Sequence, residues 1–202
     1  MSEEPFLNSY HNASTPPQPD LPPDLAGFML AADPTLSDAA KVARVLVRAH
    51  QAAAVQLIGQ GWANARKFFS LSEKYAEWAD YRAPAQGIGI HAYAHTVDRP
   101  IRLTDRELRA HPEWRDFGPE AGRHPPMRGW LVAPLIGSDG RNYGFIQVSD
   151  RLEGDFTELD EANLVRLARL TSAALDALAQ LHLPDYRERI GLTPPAGEEV
   201  PT

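Results

Sequence analysis

The 202-residue chain contains no cysteine. This absence excludes disulfide bonds, thiolate nucleophiles, and zinc or iron–sulfur sites built on cysteine ligands. No serine lies in a nucleophile elbow motif, and the acidic residues lie mostly in helix starts and in the two tails. No pairing of a nucleophile with a base stands out, so we expect a protein that is not an enzyme. The serines considered are Ser70, Ser72, Ser138 and Ser149.

Long apolar runs are also missing. None approaches the roughly 20 residues that a helix needs to cross a bilayer. The first residues, Met1-Ser-Glu-Glu-Pro5, lack the basic and apolar regions of a signal peptide. We therefore expect a cytoplasmic protein with no membrane partner.

Basic residues are absent from residues 1–40, which contain six acidic residues. The rest of the chain is close to neutral, so there is no basic footprint for a nucleic acid, and none is expected as a partner. The composition, 43% hydrophobic and 23% charged, is typical of a soluble globular protein.

Prolines mark the predicted boundaries of the domain. Seven of the 18 lie in residues 1–34 and four more lie from Pro184 onward. Such segments form helices and strands poorly. We therefore predict a disordered N-terminal arm over residues 1–34, a folded domain over residues 35–183 and a flexible tail over residues 184–202.

Hydrophobic periodicity and capping signals predict the elements inside this domain. Helices are expected from Thr35 to about Gln51, over 89–97, from Thr104 to before Pro112, and over 158–182. Strands are expected over 55–58, 66–71 and 101–103, with a short helical turn over 73–79.

The most informative stretch runs from Arg128 to Leu181. Two apolar runs, within residues 129–149, flank the turn Gly137-Ser-Asp-Gly140, and an Asp-Gly pair in this position indicates a β-hairpin. Thr157 and Asp160 then form the pattern of a capping box at the start of a long amphipathic helix. Hairpins at both ends of the domain favour an antiparallel sheet and an α+β fold.

Together with Gly87-Ile-Gly-Ile90 and Arg99-Pro100, this stretch resembles a GAF domain, a small sensory and regulatory module. The resemblance covers roughly residues 36 to 182. It implies a central antiparallel sheet with the first and last helices on one face, and with short helices and a long loop, residues 112–130, on the other. Relatives that attach a bilin through a thioether or reduce methionine sulfoxide need cysteines that this chain lacks.

Three segments are similar to GAF domains inside multi-domain bacterial sensor histidine kinases: 70–75, 122–130 and 155–161. The resemblance implies a role in two-component signal transduction, with a histidine kinase or another signalling protein as partner. The 202 residues contain no kinase or phosphoacceptor domain. A stand-alone accessory protein, a fragment and a degenerate copy with an empty pocket all remain open.

The final helix carries apolar or small residues at alternating spacings of three and four. This spacing favours a helix–helix seam, and we expect a homodimer through the terminal helices. The alternative is a wide apolar stripe that serves one core only. The seam residues are Leu164, Leu167, Thr171, Ala174, Leu178 and Leu181.

The loop over residues 112–130 concentrates aromatic, Arg, His and Pro residues. Arginine can bind a carboxylate or phosphate through two hydrogen bonds, and tryptophan provides a stacking surface. We predict that a small anionic or aromatic molecule binds there; the alternative is a stiff lid whose tryptophans fill the core. The predicted ligand-binding residues are His91, Trp114, Phe117, Arg123, His124 and Met127.

His91 and His95 lie four residues apart on one helix and share a face. This spacing suits a metal or haem ligand pair, but the segment lacks the glutamate of a hydrolytic zinc motif. We predict no metal, leave the cofactor unassigned, and keep a haem- or chromophore-dependent sensor as an alternative. A ligand-free interaction module is the other alternative.

The resemblance also implies a structural clasp. In GAF domains a basic residue, a phenylalanine and an acid recur in this order, and the base pairs with the acid. Here they are Arg151, Phe156 and Asp160, although Asp150-Arg151 stands where Asn-Lys is usual. The clasp does not identify a cyclic nucleotide as the ligand.

Overall fold

The structure, a computed structural model, describes residues 21–57, 62, 65–79, 89–115 and 124–183. The described strands form a five-stranded sheet in the order β2-β1-β5-β4-β3, with every neighbouring pair antiparallel. The predicted α+β fold with a central antiparallel sheet is confirmed. In chain order the elements are α1 (Pro23–Leu46), β1 (Ala49–Gln56), β2 (Arg66–Leu71), a 3₁₀ helix (Glu73–Trp78), α2 (Gly89–Val97), β3 (Ile101–Leu103), α3 (Asp105–Ala110), β4 (Trp130–Ile136), β5 (Asn142–Arg151) and α4 (Glu158–His182).

Each face of the sheet has its own apolar core, because successive side chains of a strand point to opposite faces. On the first face, Ile146 and Leu131 pack beneath α1 and α4. On the second face, Val55, Trp130 and Phe145 pack beneath α2. We call this second face the looped face. The expected placement of the terminal helices on one face and the shorter helices on the other is confirmed.

Helix α1 begins twelve residues earlier than predicted, so the predicted boundary at residue 35 is wrong. Pro23 occupies the first turn, where its missing N–H costs nothing, and Pro34 lies exposed inside the helix. Residues before Pro34 are held by burial, with Phe28 and Met29 almost inaccessible to solvent. The proline content predicts an unstructured arm, but the packing of these side chains outweighs that tendency. Residues 1–20 and 184–202 lie outside the described residues.

A buried arginine fastens α1 just before this proline. The Arg66 guanidinium donates to the carbonyl oxygen of Met29 at 3.0 Å and to the Asp33 carboxylate at 2.7 Å. Arg66 is 4% exposed, and the pair satisfies a charge that would be costly to bury alone. This contact ties the edge strand β2 to the first half of the helix.

The chain leaves α1 at Leu46 and enters β1 at Ala49, so the prediction of helix as far as Gln51 is also wrong. Arg48, between them, adopts a positive φ of 52°, which ends the helix. The alanines at 52, 53 and 54 favour helix intrinsically, yet they pair with both β2 and β5. Their small side chains allow close packing in the centre of the sheet.

Helix α4 matches its predicted bounds, and Thr157 and Asp160 form the predicted capping box. The residues of the predicted seam differ in their exposure to solvent. Leu164 and Thr171 lie in the domain's own core, whereas Leu181 is 77% exposed. Leu170, which is not part of the predicted seam, is 71% exposed. The buried stripe is rotated from the predicted one and comprises Leu164, Ala168, Thr171, Ser172, Leu175 and Ala179.

Helices α1 and α4 pack side by side in opposite directions. A Cβ placed on Gly27, near the start of α1, would lie 3.4 Å from Nδ1 of His182, the last residue of α4. The beginning of α1 and the end of α4 therefore meet at one end of the helix pair. Among the described helices, none has the length and apolar character needed to span a membrane.

Candidate ligand-binding face

Polar side chains occur in the middle of the looped face. Strand register places Lys67, Val55 and Phe145 in one row across β2, β1 and β5. The next row along the same face runs from Phe69 through Ala53 to Gln147 and Val132. Lys67 and Gln147 thus lie among the apolar side chains of these two rows.

Helix α2 is fixed over this face at both ends. Gly89 opens the helix with a φ of +65°, and a Cβ there would lie 3.0 Å from the Glu113 carbonyl oxygen. A side chain at this position would therefore clash, and glycine allows the close approach. At the other end, the Asn142 side chain of β5 donates to the His95 carbonyl oxygen at 3.3 Å.

His91 projects from α2 onto the sheet. Its ring stacks on Phe145 at a centroid distance of 6.4 Å and meets Trp130 edge-on at 6.0 Å. Burial, together with the charge of Lys67 and then of His124, holds the pKa of His91 well below its usual range. The His91 Nε2 atom is buried and has no hydrogen-bond partner within the described part of the chain. His91 is therefore neutral at pH 7 and has one ring nitrogen unused.

A hydrogen-bond network places the segment that precedes β4. Trp130 Nε1 donates to Gln147 Oε1 at 3.0 Å, and Gln51 Nε2 donates to the Pro126 carbonyl oxygen at 2.6 Å. Ser149 Oγ donates to the Gly129 carbonyl oxygen at 2.9 Å. Residues 126–130 are thereby held on the looped face by side chains of β1 and β5.

This network brings two of the predicted ligand-binding residues, His124 and Met127, to the looped face. His124 is buried, and its burial lowers the pKa to about 4, with the Lys67 charge acting in the same direction. Met127 belongs to the apolar core on that face, and the partly buried Trp114 packs against it. The structure thus brings His91, Trp114, His124 and Met127 to one face. Phe117 and Arg123 lie outside the described residues.

Lys67 was missed by sequence reasoning. Burial lowers the pKa of its ammonium group to about 8. The strand prediction for residues 66–71 was correct, and its alternation places Lys67 on the same face as Phe69 and Leu71. This alternation is visible in the sequence, but it does not show which face of the strand carries the site.

The two histidines of α2 do not form a metal site with a third residue. His95 meets Trp62 edge-on at 6.1 Å, and its Nδ1 atom is buried without a partner. Within the described ranges, no group of three or more His, Asp or Glu side chains is placed to hold a metal ion.

The predicted clasp lies at the far end of β5. Arg151 Nε donates to Asp160 Oδ2 at 2.9 Å, and the same oxygen accepts from the Thr157 N–H and hydroxyl at 2.8 Å. Phe156 is buried beside it. The Arg151 and Asp160 side chains are 19% and 10% exposed, so this pair lies largely inside the protein.

The family model of the GAF domain matches residues 25–176. The chain belongs to the GAF domain family. No curated protein matches its sequence. The match begins within α1, which agrees with the early start of that helix and with its contribution to the core.

Solved structures of other GAF-like proteins share the fold. The cyanobacteriochrome receptor PixJ superposes with a TM-score of 0.57 at 15% identity, covering 75% of this chain and 99% of the other. The GAF domain of a phosphoenolpyruvate-protein phosphotransferase from Coxiella burnetii gives 0.55 at 22% identity, covering 78% and 93%. A free methionine-R-sulfoxide reductase from Neisseria meningitidis, in complex with its substrate, gives 0.54 at 19% identity, covering 78% and 89%. These neighbours include a photoreceptor and an enzyme, so fold alone does not define the function of this GAF domain.

Proposed function

We propose that this GAF domain is a cytoplasmic sensory module that binds a small molecule on the looped face and signals through α1 and α4. The observation that carries the proposal is the placement of Lys67, His91 and Gln147 among apolar side chains of this face. Ligand sites commonly combine an apolar lining with a few polar groups that fix orientation. A core that serves packing alone gains nothing from a lysine, because burying an amine is costly.

The sheet offers a short route from this face to the terminal helices. Gln147 contributes to the looped face, whereas its neighbours Ile146 and Val148 pack beneath α1 and α4. A ligand that favours one position of β5 would therefore also favour one packing of the two helices. Such a difference in affinity between two states is what couples binding to a signal.

The receiving partner is proposed to be a second copy of the chain, together with a histidine kinase or another signalling protein. Support comes from apolar side chains that the described domain leaves exposed on its terminal helices. These are Leu30, Val42, Val45 and Leu46 on α1, and Leu159, Leu170 and Leu181 on α4.

We propose that the ligand is bound without being transformed. The chain has no cysteine, so it cannot use the thiol chemistry that the resemblance attributes to sulfoxide-reducing relatives. On the looped face, His91 and His124 have lowered pKa values and serve poorly as general bases near pH 7, since their weak basicity limits proton abstraction.

A metabolite library screened by thermal shift tests the proposal. Hits should raise the melting temperature of the wild-type domain, because a ligand that binds only the folded state stabilises it. The same hits should bind more weakly to His91→Phe and Gln147→Leu, and His182→Phe at the far end of α4 serves as the matched control. If no compound raises the melting temperature, the ligand-free interaction module replaces this proposal.

One observation favours a second candidate, a haem-dependent sensor. His91 Nε2 and His95 Nδ1 are both buried and unpartnered on the same helix. An imidazole nitrogen of this kind is a common axial ligand of haem iron. Absorption spectra of the purified protein, before and after addition of hemin, test it; a Soret band that is lost in His91→Phe would favour this candidate.

A further inference from the structure

The strongest unexplained feature of the looped face is an ammonium group with no counter-ion. Among the residues that the structure describes, none forms a hydrogen bond or ion pair with the Lys67 side chain. The chain contains only two other lysines, and both are paired: Lys41 with Asp38, and Lys74 with Asp150. Lys67 is therefore the exception, and it lies on the face where a ligand is expected.

Among the described residues, the two buried or half-buried carboxylates bonded to β2 and to the 3₁₀ helix form their contacts elsewhere. Asp33 binds Arg66 on the opposite face of the sheet, and Asp150 binds Lys74 and the hydroxyl of Tyr75. The described groups that act on His91 are Lys67, His124 and the amide of Gln147, and none of them is an acid. Among the described residues, the polar groups around His91 are thus a cation, a second imidazole and an amide, while Gln51 and Ser149, on the same face, donate to the Pro126 and Gly129 carbonyl oxygens.

The register brings these groups toward one another. Lys67 is paired with Val55, and Val55 is paired with Phe145, the residue on which the His91 ring stacks. His124 enters from the segment before β4, and the charge of Lys67 acts on both histidines. These side chains come from β2, α2 and the 124–129 segment, so the cluster is assembled only in the folded domain.

We infer that the looped face selects ligands bearing an oxyanion, a carboxylate or a phosphate, and that Lys67 is the residue which binds it. The inference rests on the proposed function and names the chemical class of its ligand. An oxyanion supplies the missing counter-charge and accepts charge-assisted hydrogen bonds, which are the strongest of the ordinary kind. His91, when it carries its proton on Nε2, donates to the same group.

This arrangement also predicts that binding of an anion is coupled to the uptake of protons. A partly buried ammonium group with no partner among the described residues loses its proton more readily than a fully solvated one, and an anion placed beside it favours the charged form. Binding of an oxyanion therefore raises the proton affinity of Lys67 and takes up protons from solution above neutral pH. His91 and His124 change in the same direction, because the anion favours their charged forms as well.

The test follows Lys67 directly and does not depend on knowing the natural ligand. Protein labelled with ¹³C at the lysine ε-carbon gives three lysine signals, assigned by the variants Lys41→Met, Lys67→Met and Lys74→Met. Each signal is titrated with pH alone and with sodium benzoate, phenyl phosphate or benzamide. Benzoate and phenyl phosphate distinguish a carboxylate from a phosphate, and benzamide has the shape of benzoate without its charge.

We expect at least one of the two anions to shift the Lys67 signal and to raise its titration midpoint by one pH unit or more. The Lys41 and Lys74 signals should not change. Binding of that anion should weaken at least tenfold in Lys67→Met and stay unchanged in Lys41→Met. Circular dichroism checks that Lys67→Met, which replaces the ammonium with an apolar side chain of similar length, remains folded.

Three results would overturn the inference, and the first two differ in what they imply for the proposed function. If benzamide shifts the Trp130 indole signal while neither anion moves Lys67, a small-molecule site exists but does not select anions. If none of the three probes perturbs Lys67 or Trp130 at tens of millimolar, both the anion site and the small-molecule site are rejected for this face. An anion that moves all three lysine signals equally is bound nonspecifically and also counts against the inference.

Discussion

Tyr143 of β5 donates a 2.8 Å hydrogen bond through its hydroxyl to Asp176 of α4. The other oxygen of the same carboxylate accepts the backbone N–H of Ser138 at 2.8 Å, so Asp176 holds both sides of the β4–β5 hairpin. Burial, reinforced by the hydrogen bond to Asp176, raises the pKa of Tyr143. The long C-terminal helix and the hairpin are therefore fastened to each other at the tip of the sheet.

Replacing Tyr143 by phenylalanine tests how much this contact contributes. The change removes one hydrogen bond and leaves a carboxylate oxygen without its partner, so the free energy of unfolding should fall by about 1–2 kcal/mol. Urea denaturation measures the difference, with Asp155→Asn on the exposed turn after β5 as a control that should stay within about 0.5 kcal/mol of wild type. A decrease of less than about 0.5 kcal/mol in the free energy of unfolding of Tyr143→Phe would show that the contact does not stabilise the fold.

The clasp should contribute more than a surface ion pair, because both side chains are largely buried. Asp160→Ala removes the pair and the helix cap together and should destabilise by about 2–3 kcal/mol. Arg151→Met leaves the bonds from Thr157 intact and should cost about 1 kcal/mol. The double variant should cost less than the sum, with a coupling above about 0.5 kcal/mol. Strict additivity would mean that the two side chains act independently.

The clasp also predicts how stability depends on pH. Burial acts to raise the pKa of Asp160, but the hydrogen bonds from Thr157 and Arg151 outweigh it and hold the pKa below its usual range. Such a group stabilises the fold fully above its unfolded pKa, near pH 4, and that contribution is lost as the pH falls through the lower folded value. Unfolding measured between pH 5 and pH 2 should therefore show a smaller decline in Asp160→Asn than in wild type. Equal slopes would contradict the assignment.

Protonation of His124 should destabilise the domain over a higher range of pH. Its folded pKa of about 4 lies below the usual value of 6.5, so the contribution is present above pH 6.5 and is lost as the pH falls toward 4. At pH 5 the loss should reach about 2 kcal/mol. His124→Gln should reduce the dependence between pH 7 and pH 5, and His182→Gln should leave it unchanged. Identical profiles for His124→Gln and wild type would refute the role of His124.

The dimer proposal makes a prediction about positions on α4 that differ in exposure. Leu170→Glu and Leu181→Glu place charge on exposed positions and should convert a dimer to a folded monomer. Leu164→Glu places the charge in the domain's own core and should prevent folding, since an unpaired charge there is costly. Light scattering after size-exclusion chromatography gives the mass, and circular dichroism monitors folding. A wild-type protein that is monomeric at about 100 μM would end the proposal.

Sequence reasoning was most accurate where local chemistry and tertiary packing agree. The hairpin turn, the capping box at Thr157 and the bounds of α2 and α4 follow from residues close together in the chain. It was wrong where long-range contacts override local preference. Alanine-rich β1 is a strand because two neighbouring strands pair with it, and α1 continues through Pro34 because its side chains are buried on both sides of the proline.

The candidate site was predicted only in part for the same reason. An aromatic and basic loop is visible in the sequence, and among its described members Trp114, His124 and Met127 reach the looped face, whereas Arg115 and Arg128 are exposed. Lys67 gave no such signal, because a lysine on a strand usually points to solvent. Its environment is created by α2 and by the segment before β4, which lie tens of residues away in the chain.

The proximity of Gly27 to His182 has a consequence for how such a domain works beside its neighbours. Anything joined before α1 and anything joined after α4 would connect at the same pole of the helix pair. A small rotation of α1 against α4 would then directly change the angle between the two connected segments. Only a small deformation of the sheet would be needed to change the relative orientation of the segments joined to the two helices.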